Sequence, residues 1–250
     1  MTPETGGDDA SKTFSTASLG VAEETSIAPI ASFDNIAALL GSIHTCRLCS
    51  AVIPSKVTRS IIPSWNAELV LMAQAPSEHG VRLSGVHWVD AHGNLRPLGG
   101  TYLESYLRRV GYSINPREQR LPRPYTTNVL QCWPGAGPKR DRPPGAVELS
   151  NCSKWWQSEV KLLKPKAVVL LGKPSAEAFI AACNLSASFN TLLESQGTVA
   201  TFAGGSVPVF TVPHPTAPYK GPRGGRSEYY ELAFAALNGH LHSSARNRGA

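Results

Sequence analysis

The chain has 250 residues, 42% of them hydrophobic, enough to bury one full core. It contains no apolar run of membrane-spanning length, no hydrophobic leader and no Arg-rich, acid-poor presequence, so a membrane span is excluded and a cytoplasmic setting expected. The formal charge is +6, and because residues 1–30 hold five carboxylates against Lys12 alone, the remainder carries about +10, a balance that favours a polyanionic partner.

Residues 1–30, rich in Ser, Thr, Gly, Ala and acid, offer too little apolar surface to fold and are expected to be a disordered tail. Residues 31–240 are expected to form one domain, and 241–250 a disordered basic tail. Residues 32–40 read as a short amphipathic helix capped by Asp34 or Asn35, leading into Cys46 and Cys49. The apolar run 68–73 is a strand that ends in the polar loop 74–80. Residues 81–100 lack periodicity and read as irregular, whereas Tyr102, Leu103, Tyr106, Leu107 and Val110 recur at helical spacing. A buried strand around 126–130 is stopped by Trp133-Pro134-Gly135 and delivers Asn128 and Cys132 into one small space. After a Gly/Pro/Arg-rich loop, a helix over 147–163 carries Trp155, Trp156 and Val160 and ends at Lys164-Pro165. Residues 167–171 form the clearest buried strand. Gly172 then opens a helix through Ile180, whose amino end, near Lys173 and Ser175, has N–H groups suited to an anion. A fourth strand over 207–211 and a closing helix over 228–237 complete the chain.

This alternation predicts an α/β fold of three layers, with a central four-stranded parallel sheet covered by helices on both faces. Ligands of such sheets bind beyond the carboxyl ends of the strands. The loops 74–80, 128–134, 172–175 and 213–226 meet there.

Cys46-x2-Cys49 with Cys132 and Cys152 makes a four-thiol set, which in a reducing compartment binds metal more often than it forms disulfides. Spacing leaves zinc and an iron-sulfur centre equally open. Cys183, on an alanine-rich helix, reads as a core residue. His214 lies between Pro213 and Pro215 just past a strand end, in the same crevice as Asn128 and Gln74. Asn128 carries both a donor and an acceptor with which to read a base edge.

These residues resemble the iron-sulfur uracil-DNA glycosylases, families 4 and 5, over about 46–237. The resemblance rests on residues 127–134 (TNVLQCWP), Arg142-Pro-Pro, Glu148, Asn151-Cys152 and residues 162–172 (LLKPKAVVLLG). Residues 75–80 (APSEHG), His214-Pro-Thr and Gly225-Arg226 look closer to family 5. The resemblance implies a monofunctional DNA-repair glycosylase that flips uracil, or a related deaminated base, out of the helix and leaves an abasic site. A [4Fe-4S] cluster on Cys46, Cys49, Cys132 and Cys152 is implied in preference to zinc, with damaged DNA as partner and a monomer as the acting form. His214, Asn128 and Gln74 would be catalytic, while Ala75, Pro76, Ser77, His79 and Leu98 would surround the base. Lys173, Ser175, Thr216, Tyr219, Lys220, Arg223 and Arg226 are candidates for DNA contact, Tyr219 as a wedge.

The chain departs from the family pattern at three positions. Gln74 stands where family 4 has an acid, Ala75 where family 1 has its water-activating aspartate, and Leu98 where an aromatic ring is expected under the base; Trp88 or His87 could substitute. Glu78 and Asp90 are the carboxylates near enough to consider as a general base. The alternatives are a nucleic-acid-binding module that has lost cleavage, or an enzyme for another modified base.

Overall fold

The computed structural model describes residues 35–49, 68–78, 80–138, 141–202 and 205–246. The expected amino-terminal tail, and His79, lie outside these residues. Helix α1 (Ile36–Thr45) begins where Asn35 accepts a hydrogen bond from the Ala38 N–H at 2.9 Å, so Asn35 is the cap. Strand β1 (Leu69–Ala73), helices α2 (Val81–Ser84) and α3 (Gly99–Arg109) and strand β2 (Tyr125–Asn128) follow. Then come α4 (Ala146–Leu163), β3 (Ala167–Leu171), α5 (Lys173–Ala182), α6 (Phe189–Glu194), β4 (Thr198–Phe202) and β5 (Gly205–Val212). A short ribbon, β6 (Lys220–Gly221) and β7 (Gly224–Gly225), precedes the closing helix α7 (Arg226–Arg246).

The main sheet has the order β2-β1-β3-β5-β4. The four expected strands are parallel neighbours. The sheet is nonetheless five-stranded, because β4 adds an antiparallel edge beside β5. The alternation in Thr198-Val-Ala-Thr-Phe, with Val199 exposed and Ala200 buried, is the period-two signal for that edge strand.

Every residue of β1 and β3 is buried, as parallel strands covered on both faces require. Alternate side chains divide between two cores. Leu69, Leu71, Val169, Leu171 and Phe210 pack against α3 and α7 through Leu103, Tyr106, Tyr230 and Phe234. Val70, Met72, Val168, Leu170 and Val209 pack against α4, α5 and α6 through Trp156, Val160, Phe179 and Leu192. A third cluster joins Ile36, Leu39 and Ile43 of α1 to Leu130, Cys152 and Trp155.

Helix α7 runs nine residues past its expected end at Leu237, so 241–246 is helical and not a disordered tail. Tertiary contacts extend it: Leu241 is buried with the α3 and α7 core, and the His240 ring meets the Lys166 carbonyl at 3.0 Å.

The connection leaving β1 runs to β2 at one edge, whereas β3 leads outward to β5. The crevice between the carboxyl ends of β1 and β3 is therefore a topological switch point, where open α/β sheets bind ligands.

Candidate active site and thiol-lined cavity

Four strand ends supply the crevice. β1 runs on into Gln74 and Ala75, and Leu130 N–H bonds back to the Gln74 carbonyl at 3.0 Å. Gln74 is half-buried, Pro76 is buried and Ala75 packs toward the third cluster. Ser77 receives a hydrogen bond from Arg96 at 3.3 Å. Asp141, which the sequence did not single out, ties this loop to the one beyond β2: it accepts from the Glu78 N–H at 3.3 Å and from the Trp133 indole at 2.8 Å.

Asn128 closes β2 and is only 1% exposed. Its Nδ2 lies 3.4 Å from Nε2 of the buried His87; an amide nitrogen only donates, so that ring nitrogen is the acceptor. The amide is thereby oriented with Oδ1 buried and without a hydrogen-bond partner. Beneath it, Gln131 donates to the Asn128 carbonyl at 2.8 Å and to Thr127 Oγ1 at 3.1 Å, and Thr127 donates to the fully buried Glu159. This network fixes the end of β2 before any ligand arrives.

His214 follows β5 and leans on the end of β3. Gly172, at φ +93°, sits so near that a Cβ there would lie 3.0 Å from His214 Cβ, which is the reason the position needs glycine. His214 Nδ1 is 3.3 Å from the Thr216 N–H and 2.8 Å from its hydroxyl. A backbone N–H can only donate, so Nδ1 is the acceptor and the neutral ring carries its proton on Nε2. The loop is held from below by Tyr230, which donates to the Pro213 carbonyl at 3.0 Å, and by Arg226, which donates to the Pro215 carbonyl and lies 4.1 Å above the Tyr102 ring.

The aromatic ring beside His214 belongs to Trp88, 5.7 Å away between centroids, and the Trp88 indole N–H is buried without a partner. Leu98 does not fill that role, since its side chain is 76% exposed. Asp90 is occupied by a local turn, accepting from the His92 and Asn94 N–H groups at 2.9 Å each; these bonds, the Asn94 one foremost, hold its carboxyl below the usual range.

The candidates for DNA contact divide. Thr216 and Lys220 are exposed, and Lys173 is exposed with Glu177 at 3.5 Å. Ser175 is fully buried and its hydroxyl donates to the Gly172 carbonyl at 2.8 Å within the first turn of α5, so it is not exposed to a phosphate. Arg223 is paired with Glu194, and Arg226 is spent on the His214 loop. Tyr219 packs edge-on against Tyr229 and Phe189, at 5.3 and 6.0 Å, and does not protrude as a wedge.

The second site lies beside α1 and α4. Cys46, Cys49, Cys132 and Cys152 line one small cavity, with Leu48, Leu130, Arg47 and Asn151 completing its wall. All four thiols are unbridged. Among the described residues no group of three ligand side chains converges on a single point. Burial first, then the neighbouring Cys46 and Cys49, pushes the Cys132 thiol up to about 11. Burial pushes Cys152 up to about 12, against a backbone N–H from Gln131 at 3.4 Å that pulls it down. Cys132 and Cys152 are thus hard to ionise in the free protein, and a bound cation would reverse that. Asn151 adds a donor 3.5 Å from Cys49 Sγ. Cys183 stands apart at the end of α5, half-buried.

Residues 60–238 match the family model described as the uracil DNA glycosylase superfamily; Cys46 and Cys49 precede that span. The chain is also similar to the type-5 uracil-DNA glycosylase of Pyrobaculum aerophilum, 28% identical over 116 residues, which are 45% of this chain and 49% of that protein. The alignment spans about half the length of that relative.

Proposed function

The chain belongs to the uracil-DNA glycosylase superfamily, and from that premise we propose that it hydrolyses the N-glycosidic bond of uracil, or of a related deaminated base, in DNA and leaves an abasic site without cutting the strand. The observation that carries this reading is the buried, unpartnered Asn128 Oδ1 in the same crevice as a histidine whose proton sits on Nε2. An orphaned acceptor calls for a donor. Uracil supplies one at its ring N–H, as do hypoxanthine and xanthine, whereas cytosine presents an acceptor at the same place.

In this mechanism the nucleotide swings out of the duplex, at a cost of a few kcal/mol of stacking that is least at a mismatch. The bond between C1′ and the base nitrogen breaks with its electron pair leaving on the base. Charge then develops on the pyrimidine O2, where His214 Nε2–H donates to it. Arg226, Tyr230 and Thr216 hold that donor in place beforehand, so little reorganisation accompanies the reaction. Water adds to the sugar cation at C1′ and gives up a proton to solvent. No carboxylate is assigned as general base, since Asp90 is committed to its turn. Exposed Lys173, Lys220 and Thr216 contact phosphates near the crevice. A monomer acting on DNA in the cytoplasm completes the reading.

We further propose that Cys46, Cys49, Cys132 and Cys152 hold a [4Fe-4S] cluster. Its support is that the four thiols, brought from three segments of the chain, line one cavity. When bound, the cluster supplies a cross-link between α1, the loop after β2 and α4. A brown protein with a broad band near ~400 nm, and iron and sulfide in place of zinc on analysis, is the expected result.

Cleavage of labelled duplexes and single strands bearing uracil, hypoxanthine or xanthine, followed by alkali, tests the activity beside His214→Ala. Scission with wild type alone supports the proposal. Tight binding with no scission on any substrate replaces it with the binding-module reading.

A further inference from the structure

Leu98 is the most exposed large apolar side chain among the described residues. It sits on a turn that leucine rarely adopts, with φ +65° and ψ −72°. The Gly99 N–H donates to the Pro97 carbonyl at 2.8 Å across it. This is a γ-turn of the positive-φ kind, rare and strained. Its surroundings leave it little choice. Gly100 and Thr101 N–H groups bond to the Arg96 carbonyl at 3.0 and 3.2 Å, and Arg96 N–H bonds to the Trp88 carbonyl at 2.8 Å. A Cβ on Gly99 would meet Thr216 Cγ2 at 2.5 Å, and one on Gly100 would meet the Trp88 carbonyl at 2.7 Å.

The turn is therefore clamped against Thr216, the residue that orients His214, and against Trp88, the ring beside it. A strained turn whose product is an apolar side chain held in water, at the lip of the crevice, has no stabilising purpose in the free protein; such strain persists where function uses it.

We propose that Leu98 is the wedge that enters the base stack in the space left by the extruded nucleotide. The proposal rests on the glycosylase reading for the extruded nucleotide itself. Burial of the leucine against neighbouring bases returns the exposure that the free protein tolerates. Leu98 acts on the flipping equilibrium, not on bond breaking, and so matters for duplexes more than for single strands.

The test compares wild type, Leu98→Gly and Leu98→Phe on uracil in a duplex and in a single strand, under single turnover. Leu98→Gly is expected to lower the ratio of duplex to single-strand rate by roughly tenfold or more, and Leu98→Phe to restore it. Leu98→Gly also relieves the turn, so its melting temperature should equal or exceed that of wild type. A duplex with 2-aminopurine beside the uracil reads extrusion without cleavage: wild type should brighten it and Leu98→Gly should not. An unchanged rate ratio, or a Leu98→Gly protein that melts lower, overturns the assignment. If wild type cuts neither form, the glycosylase reading fails and the fluorescence decides alone. Brightening by wild type only keeps the wedge; equal brightening by both proteins, or none with either, removes it.

Discussion

One strand serves both the crevice and the thiol-lined cavity: β2 ends at Asn128, and its continuation carries Cys132 four residues later. The two places differ in what they leave incomplete. Around the crevice, buried polar atoms are left without hydrogen-bond partners, as Asn128 Oδ1 and Trp88 Nε1 are. In the cavity, four thiols share a wall with Leu48 and Leu130, and burial makes Cys132 and Cys152 hard to ionise. A crevice of the first kind suits a ligand that comes and goes, because its polar groups are already held in place by the folded chain. A cavity of the second kind suits a permanent cation, whose charge makes the thiolates possible and whose bonds join elements far apart in sequence.

That contrast is broken most directly at the thiols. Cys152→Ser should destabilise the protein by about 4 kcal/mol or more, a loss that single substitutions reach only through metals, disulfides or buried networks. Denaturant unfolding, followed together with visible absorbance, measures it. Unchanged stability with the band intact would make the cavity an ordinary packing feature.

Next in size is His214→Ala, expected to lower kcat by about 10² to 10³, or ~2.7–4 kcal/mol of barrier, while DNA affinity stays near that of wild type. A fall in affinity without a fall in kcat would instead give His214 a binding role. Asn128→Leu sharpens the comparison because the two readouts should diverge. Turnover should drop by about 10², yet stability should stay within about 1 kcal/mol of wild type, since removing a buried acceptor that has no partner offsets the lost donation to His87 Nε2. Loss of both would show that the amide serves the fold.

Gly172→Ala combines a left-handed backbone with a 3.0 Å approach to His214. It should cost about 1–2 kcal/mol, read as a lowered melting temperature, together with a fall in kcat from displacement of the ring.

The smallest effect is expected from pH. Arg142, and after it the Gly145 N–H, holds the Glu148 carboxyl below its usual range. Its folded value is depressed, so its contribution is present above the unfolded value and lost as pH falls through the folded one. Stability on the acid side should therefore decline less steeply in Glu148→Gln than in wild type, as denaturation midpoints across that range would show.

Much of this was legible in the residues. The apolar runs of β1 and β3 announce strands covered on both faces, and the endings of β2 and β5 place Asn128 and His214 at the same carboxyl edge of the sheet. The edge strand β4 was missed although its alternation is visible, because a half-exposed strand offers only a weak apolar signal. Trp88 and His87 were named only as substitutes: residues 81–100 have no period, and their order comes from backbone turns around Arg96 and Trp88. Arg223, Arg226, Ser175 and Tyr219 were singled out by residue type, and each already has a partner within the protein. Composition shows that a side chain is basic or aromatic, but not whether its neighbours have already claimed it.

The sequence by itself determined the four parallel strands and most of the helices that cover them, because hydrophobic period is a local property. Only the tertiary structure decided which carbonyl Arg226 holds, which way the Asn128 amide faces, that Trp88 and not Leu98 stands beside His214, and that four thiols from three distant segments share a wall. Those outcomes depend on contacts between residues far apart in the chain, where packing and hydrogen-bond competition, and not local propensity, set the answer.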